Sequence, residues 1–166
     1  MEKFEILKLK IFKNCSDIEF TRMLAFLKFK NEKIVFTNGC FDILHRGHIE
    51  YLAKAAQFGD VLIIGLNSDE SVSRLKGKNR PIQDEESRAL VLASMLFVDV
   101  VVIFREDTPY NLIKIIKPDV LVKGGDYSLE NIIGSDLVIA KGGEVKTINF
   151  VDGFSSSSII SKVENK

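Results

Sequence analysis

An α/β fold on a parallel sheet covered on both faces is what this sequence predicts, from three observations. Short runs that are apolar throughout recur along the chain. Segments of helical period alternate with them. Glycines, acids and amides gather where these runs end. A strand buried on both faces reads as a continuous apolar run, and strands alternating with helices make βαβ units. Right-handed crossovers then give a doubly wound, Rossmann-like single domain with a five-stranded parallel sheet.

The elements follow in order. Residues 1–32 precede the alternation and read as an N-terminal extension. Within it, residues 16–29 form an amphipathic helix opened by Ser16 or Asp17, with Ile18, Met23, Leu24, Phe26 and Leu27 facing the domain. The main domain covers 33–166. "KIVFTN" (33–38) is the first strand, and "GHIEYLAKAAQFG" (47–59) a helix with Ile49, Leu52, Ala53 and Ala56 on one face. "DVLIIGLN" (60–67) is the second strand, followed by one short helix. "DEESRALVLASM" (84–95) is a helix with acids in its first turn, where they suit the macrodipole. "VDVVVIF" (98–104) is the third strand. "TPYNLIKIIKPD" (108–119) is a helix with Thr108 as N-cap and Pro109 at its first position. "VLVKGG" (120–125) and "EVKTINF" (144–150) are the last two strands, and "SSSSIISKVE" (155–164) a final helix.

Composition excludes several classes. Lysine plus arginine number 23 and aspartate plus glutamate 23, so no global basic field points to nucleic acid or an anionic membrane. Cys15 and Cys40 are the only cysteines, which makes no disulfide scaffold and no Cys-x-x-Cys metal pair. No window approaches the ~18 apolar residues of a membrane span, and the N-terminus lacks the apolar core of a signal peptide. A cytoplasmic protein is the expectation.

In such sheets ligands bind beyond the C-terminal strand ends. "TNGCFD", "LNSDE", "FREDTP" and "VKGGDY" fall there. Both histidines of the chain, His45 and His48, follow the first strand in "TNGCFDILHRGH" (37–48). A strand, a glycine turn and a helix start aim N–H groups at an anion. Gly39 permits close backbone approach, and Gly47 starts the helix without a side chain. Two imidazoles here can donate to phosphate oxygens that gain charge in a transition state. A rival reading makes Asp42, His45 and His48 a zinc set, although nothing else in the chain supplies histidine or paired cysteine. No dinucleotide fingerprint or P-loop follows the strand.

"HRGH" resembles the His-x-Gly-His signature of the nucleotidyltransferase superfamily. The longer "FTNGCFDILHRGHIEYL", with "GLNSDESVSRLKGKNRPI", "DVLVKGGDY" and "GFSSSSII", is similar to the adenylyltransferase domain of the ADP-heptose synthases of lipopolysaccharide core biosynthesis. The resemblance covers about residues 33–162. It implies that Asn38, Gly39, Cys40 and Phe41 form the nucleotide cradle and wall, the Cys40 side chain facing the core without chemistry of its own. It implies catalytic roles for His45, His48 and a lysine of the basic loop "RLKGKNR" (74–80), Lys76 first and Lys78 in reserve. That loop reads as a cationic lid. Arg88 is expected near phosphate, and Ser155, Ser156 and Ser157 on the nucleotide phosphates. Asp42 would orient the acceptor, with Lys123, Gly124, Asp126 and Tyr127 completing its site.

The resemblance implies AMP transfer from ATP to a sugar 1-phosphate, heptose 1-phosphate, with release of pyrophosphate. Mg2+ would bridge the phosphates without a dedicated protein motif. A separate sugar kinase and a phosphatase would supply the acceptor. A homodimer is compatible, though no sequence feature establishes it. Open alternatives are a glycerol-3-phosphate cytidylyltransferase, a flavin adenylyltransferase-type enzyme and a non-catalytic nucleotide-binding module. Phe150 stands where the glycerol-3-phosphate enzymes carry arginine, which argues against the first.

Overall fold

The structure, a computed structural model, describes residues 2–125, 131–149 and 153–164, the side chains of Ser157 and Glu164 excepted. Its elements run α1 (Lys3–Lys8), β1 (Ile11–Phe12), α2 (Ile18–Phe29), β2 (Ile34–Gly39), α3 (Arg46–Ala56), β3 (Val61–Asn67), α4 (Asp69–Lys76), α5 (Glu85–Ala93), β4 (Val100–Phe104), α6 (Tyr110–Ile116), β5 (Val120–Gly124), α7 (Ser135–Ala140), β6 (Glu144–Ile148) and α8 (Ser156–Glu164).

Every strand pair is parallel, in the order β1-β4-β3-β2-β5-β6. The chain steps outward from β2 through β3 to β4, then returns to place β5 on the other side of β2. The winding therefore reverses between β2 and β5, where a crevice opens beyond the strand ends. Residues within a strand alternate between two cores. Val35, Leu62, Ile64, Leu66, Val101 and Val120 pack with α3 and α5 on one face. Ile34, Phe36, Ile63, Val102 and Leu121 pack with α2 and α6 on the other. This two-sided burial is the physical reason the strands are apolar at successive residues.

The sheet has six strands, not five. The extra one, β1, pairs with β4 through Ile11 and Phe12 alone. Two residues are too few for a period to register. The segment ahead of residue 33 therefore builds the sheet as well as packing a helix on it. Asp17 caps α2, its carboxylate accepting the Glu19 N–H. Phe20 and Leu24 are the residues α2 buries, with Phe20 tilted against Phe12 at 5.2 Å between ring centroids. Ile18 and Phe26, expected to face the domain, are exposed. Pro109, not Thr108, is the N-cap of α6. Helices α1 and α7 are six residues each and did not stand out as periods. Among the described residues, no helix is long and apolar enough to cross a membrane.

Candidate functional site

A cavity of about 480 Å³ opens at the reversal point. The end of β2 brings Asn38, Gly39 and Cys40 to it, and the following turn brings Phe41 and Asp42. Helix α3 brings His45, Gly47 and His48 from its start. Lys76 enters from the end of α4, Lys123 and Gly124 from the end of β5, and Ser155 and Ser156 from the start of α8. Elements far apart in sequence thus converge because each borders one sheet edge. Asp126, Tyr127 and the Ser157 side chain lie outside the described residues.

The histidines form one unit. His45 caps α3 in an extended conformation, and its carbonyl accepts the His48 N–H at 2.9 Å. The rings stack at 3.9 Å between centroids and 24° between planes. Phe41 sits edge-on to His48 at 5.4 Å. Phe41 has φ 45°, a left-handed conformation that costs energy in a non-glycine residue and recurs at functional turns. Burial, with His45 close by, pushes the His48 imidazole from 6.5 down to about 4. Burial also lowers His45. Both rings are therefore neutral near pH 7. Among the described residues neither Nδ1 has a hydrogen-bond partner, and both are buried. The neutral tautomer that leaves Nδ1 bare puts the proton on Nε2, since an unpartnered buried N–H is rarer than an unpartnered acceptor. Two Nε2–H donors are then available to an anion.

The pH dependence of stability follows. Between pH 6.5 and about 4 the unfolded chain protonates His48 and the folded one does not. Stability is therefore present above 6.5 and lost as pH falls through this window. Urea midpoints recorded across it are expected to decline, with a shallower slope in His48→Gln. An equal slope in the variant counts against the burial of this ring.

At Gly47 an added side chain would crowd the histidine pair. A Cβ there would lie 3.1 Å from His45 Nδ1 and 3.3 Å from the Phe154 Cβ. The His45 ring would have to give by a few tenths of an ångström. Gly47→Ala is expected to lower turnover by about tenfold with little change in melting temperature, because small misplacements of catalytic groups are costly. Unchanged turnover in steady-state assays would contradict it.

The cavity carries Lys76, Lys123 and Arg80, the last residue of the basic stretch 74–80, against Asp42 as its only lining carboxylate among the described residues. Lys123 donates to Asn38 Oδ1 at 3.3 Å, and burial lowers its ammonium below the ordinary lysine value. Asp42 lines the cavity, and its oxygens are engaged by the loop that follows α4. Its Oδ2 accepts Arg80 Nε at 2.5 Å, and its Oδ1 accepts the N–H groups of Ile82 and Gln83. Burial alone would raise this carboxyl, but these hydrogen bonds hold it below its ordinary value. With Asp42 so engaged, the zinc reading loses its third ligand. Among the described residues, no three His, Cys, Asp or Glu side chains are arranged to hold a metal ion.

Further expectations are corrected. Arg88 does not line the cavity. It is buried, and its guanidinium donates to the carbonyls of Gln83, Cys40 and Asn67 and to Asp69 Oδ1. It braces the loops around the site. Cys40 lines the cavity and is half-buried; burial pushes its thiol up, so it stays protonated. In the basic stretch 74–80, α4 runs to Lys76, Arg74 is tied to Asp107 and the Arg105 carbonyl, and Lys76 and Arg80 line the cavity. Ser156 donates to the Ile43 carbonyl, and Ser155 Oγ accepts the Ser158 N–H, as a cap does.

Tyr51, Arg80 and Phe154 line the cavity without having been singled out. Tyr51 lies three residues after His48 on α3, a spacing that shares a face. Its hydroxyl sits 2.6 Å from Thr37 Oγ1 and donates to the Val122 carbonyl at 3.2 Å, tying β2 to β5 beneath the site. Burial pushes this phenol up to about 12.

Comparison with known proteins places the chain in a family. The Cytidylyltransferase-like family model matches residues 36–162. The bifunctional protein HldE of Campylobacter jejuni is 57% identical over 144 residues, which is 87% of this chain and 30% of that protein. HldE of Geobacter metallireducens is 57% identical over 136 residues, 82% of this chain and 28% of that protein. The chain thus spans under a third of the curated relatives it matches. A crystal structure of a lipopolysaccharide core biosynthesis protein from Thermoplasma volcanium superposes with TM-score 0.57 at 29% identity, covering 72% of this chain and 97% of the other. Pantoate-beta-alanine ligase from Francisella tularensis shares the fold, with TM-score 0.61 at 20% identity over 94% of this chain and 78% of that one. The chain belongs to the cytidylyltransferase-like family, and it is a nucleotidyltransferase.

Proposed function

We propose that this nucleotidyltransferase moves AMP from ATP to a sugar 1-phosphate, with heptose 1-phosphate as the acceptor. The observation that carries the reading is the stacked, neutral His45–His48 pair at a helix N-terminus, set in a cavity whose other charges are mainly cationic. An acceptor phosphate oxygen attacks the α-phosphorus of ATP. The bond to the bridging oxygen breaks, and pyrophosphate leaves with its electron pair. The attacking phosphate is already anionic, so no strong general base is required. The chain's task is positioning and charge stabilisation. The Nε2–H groups of His45 and His48 donate to the α-phosphate and the leaving oxygen. Lys76 neutralises the triphosphate, and Lys123, with Asn38, holds charge on the β5 side.

ATP would arrive with Mg2+ held by its own phosphate oxygens, because the donor set around Asp42 is committed to the loop. The choice of heptose rests on "FTNGCFDILHRGHIEYL" and on the HldE relatives. The deciding assay is pyrophosphate release with ATP or CTP, across heptose 1-phosphate anomers, other sugar 1-phosphates and glycerol 3-phosphate. Turnover with ATP and a heptose 1-phosphate supports the reading. Turnover only with CTP and glycerol 3-phosphate replaces it.

A further inference from the structure

Arg80 lies in the loop between α4 and α5, its side chain 16% exposed and lining the cavity. One edge of its guanidinium is fixed. Nε donates to the buried Asp42 carboxylate, whose other oxygen grips the backbone of the same loop at Ile82 and Gln83. Among the described residues, the terminal Nη1 and Nη2 groups have no partner. Lys76, which also lines the cavity, likewise has none among the described residues. An arginine held by Nε keeps its terminal edge in a set direction, and that edge is shaped to take two phosphate oxygens. The charge of Asp42 is shared with two N–H groups, so the guanidinium is not fully neutralised by it.

We propose that Arg80 binds a phosphate group in the cavity, and that Asp42 is the positioning residue that turns its free edge toward that group. The inference rests on the nucleotidyltransferase reading for its ligand class, a phosphorylated substrate. The simpler role, neutralising a buried Asp42, makes a different prediction. If Arg80 only cancels that charge, removing both charges restores binding.

The test is equilibrium binding by calorimetry, independent of turnover, with inorganic pyrophosphate, α,β-methylene ATP and a sugar 1-phosphate as separate probes. Arg80→Gln is expected to bind the affected probe about 10- to 100-fold more weakly, as loss of hydrogen bonds to a charged group implies. The double variant Arg80→Gln/Asp42→Asn is expected to be no better. Arg80→Lys keeps a cation opposite Asp42, and so the local fold, but has no second edge; about tenfold weaker binding is expected. Loss on pyrophosphate and the ATP analogue places Arg80 on the triphosphate, and loss confined to the sugar 1-phosphate places it on the acceptor. Wild-type binding of all probes by Arg80→Lys, or recovery in the double variant, overturns the proposal. If the wild-type protein binds no probe, the proposed function fails with it. Wild-type turnover with undiminished binding in the variants sinks this inference alone.

Discussion

His48→Ala is expected to lower turnover by at least about 10²–10³-fold, the usual cost of removing a donor aimed at developing charge. The fold should survive the change. His48 is not a core apolar side chain, and its Nδ1 has no partner to lose. Deleting a buried group that gains no hydrogen bond from folding carries little penalty. The catalytic loss is larger because the ring works as part of a stack with His45 and is braced by Phe41. Removing one ring frees the other to shift. His45→Ala and the double variant should therefore cost much less than the product of separate effects, as for residues that act as a unit. Pyrophosphate release under saturating substrates checks this, with circular dichroism as the control on folding. Turnover within a few-fold of wild type would remove His48 from the mechanism.

Much of the fold was legible because its signals are local. Val35, Phe36, Leu62 and Ile63 are apolar at successive positions because each strand faces a core on both sides, and that leaves a run any reader can see. Asp84 and Asp17 announce helix starts by their own chemistry. What escaped is what depends on distant partners. Ile11 and Phe12 become a strand only because β4 offers an open edge. Phe20 is buried because Phe12 and the sheet lie beneath it, which no helical wheel reveals.

The site divides the same way. His45, Gly47 and His48 could be placed because one strand, one turn and one helix carry them. Tyr51 follows from the same helix face and could have been found. Arg80 falls within the basic loop 74–80, but its tie to Asp42, 38 residues away, leaves no local signal. The resemblance implies ligand contacts for Asp42 and Arg88. What the structure adds is their loop partners, Ile82, Gln83 and Arg80 for Asp42 and the Gln83, Cys40 and Asn67 carbonyls with Asp69 for Arg88, brought close only by the finished sheet.

Arg88 offers the second large effect, and its direction separates two roles. Arg88→Ala is expected to destabilise the protein by about 3–5 kcal/mol. The carbonyls of Gln83, Cys40 and Asn67 would each lose a buried donor. Asp69 contributes less, because its side chain is 40% exposed and can return to water. For a chain of this size each kcal/mol moves the melting temperature by about 2–4 °C, so a fall near 10 °C is expected. Arg88→Lys should recover less than half of it, because a single ammonium cannot reach carbonyls that diverge around a planar fork. Activity should fall in both variants, with turnover dropping more than substrate affinity. The Cys40 carbonyl precedes Phe41 and Asp42, and the Gln83 carbonyl belongs to the loop that carries Arg80, so the loss loosens both walls of the cavity. A phosphate contact would show the opposite pattern: an intact melting temperature and weakened nucleotide binding. Thermal melts and calorimetric ATP titration on the same samples decide between them, and a buried guanidinium whose Nε, Nη1 and Nη2 already donate to three carbonyls and Asp69 leads to the first.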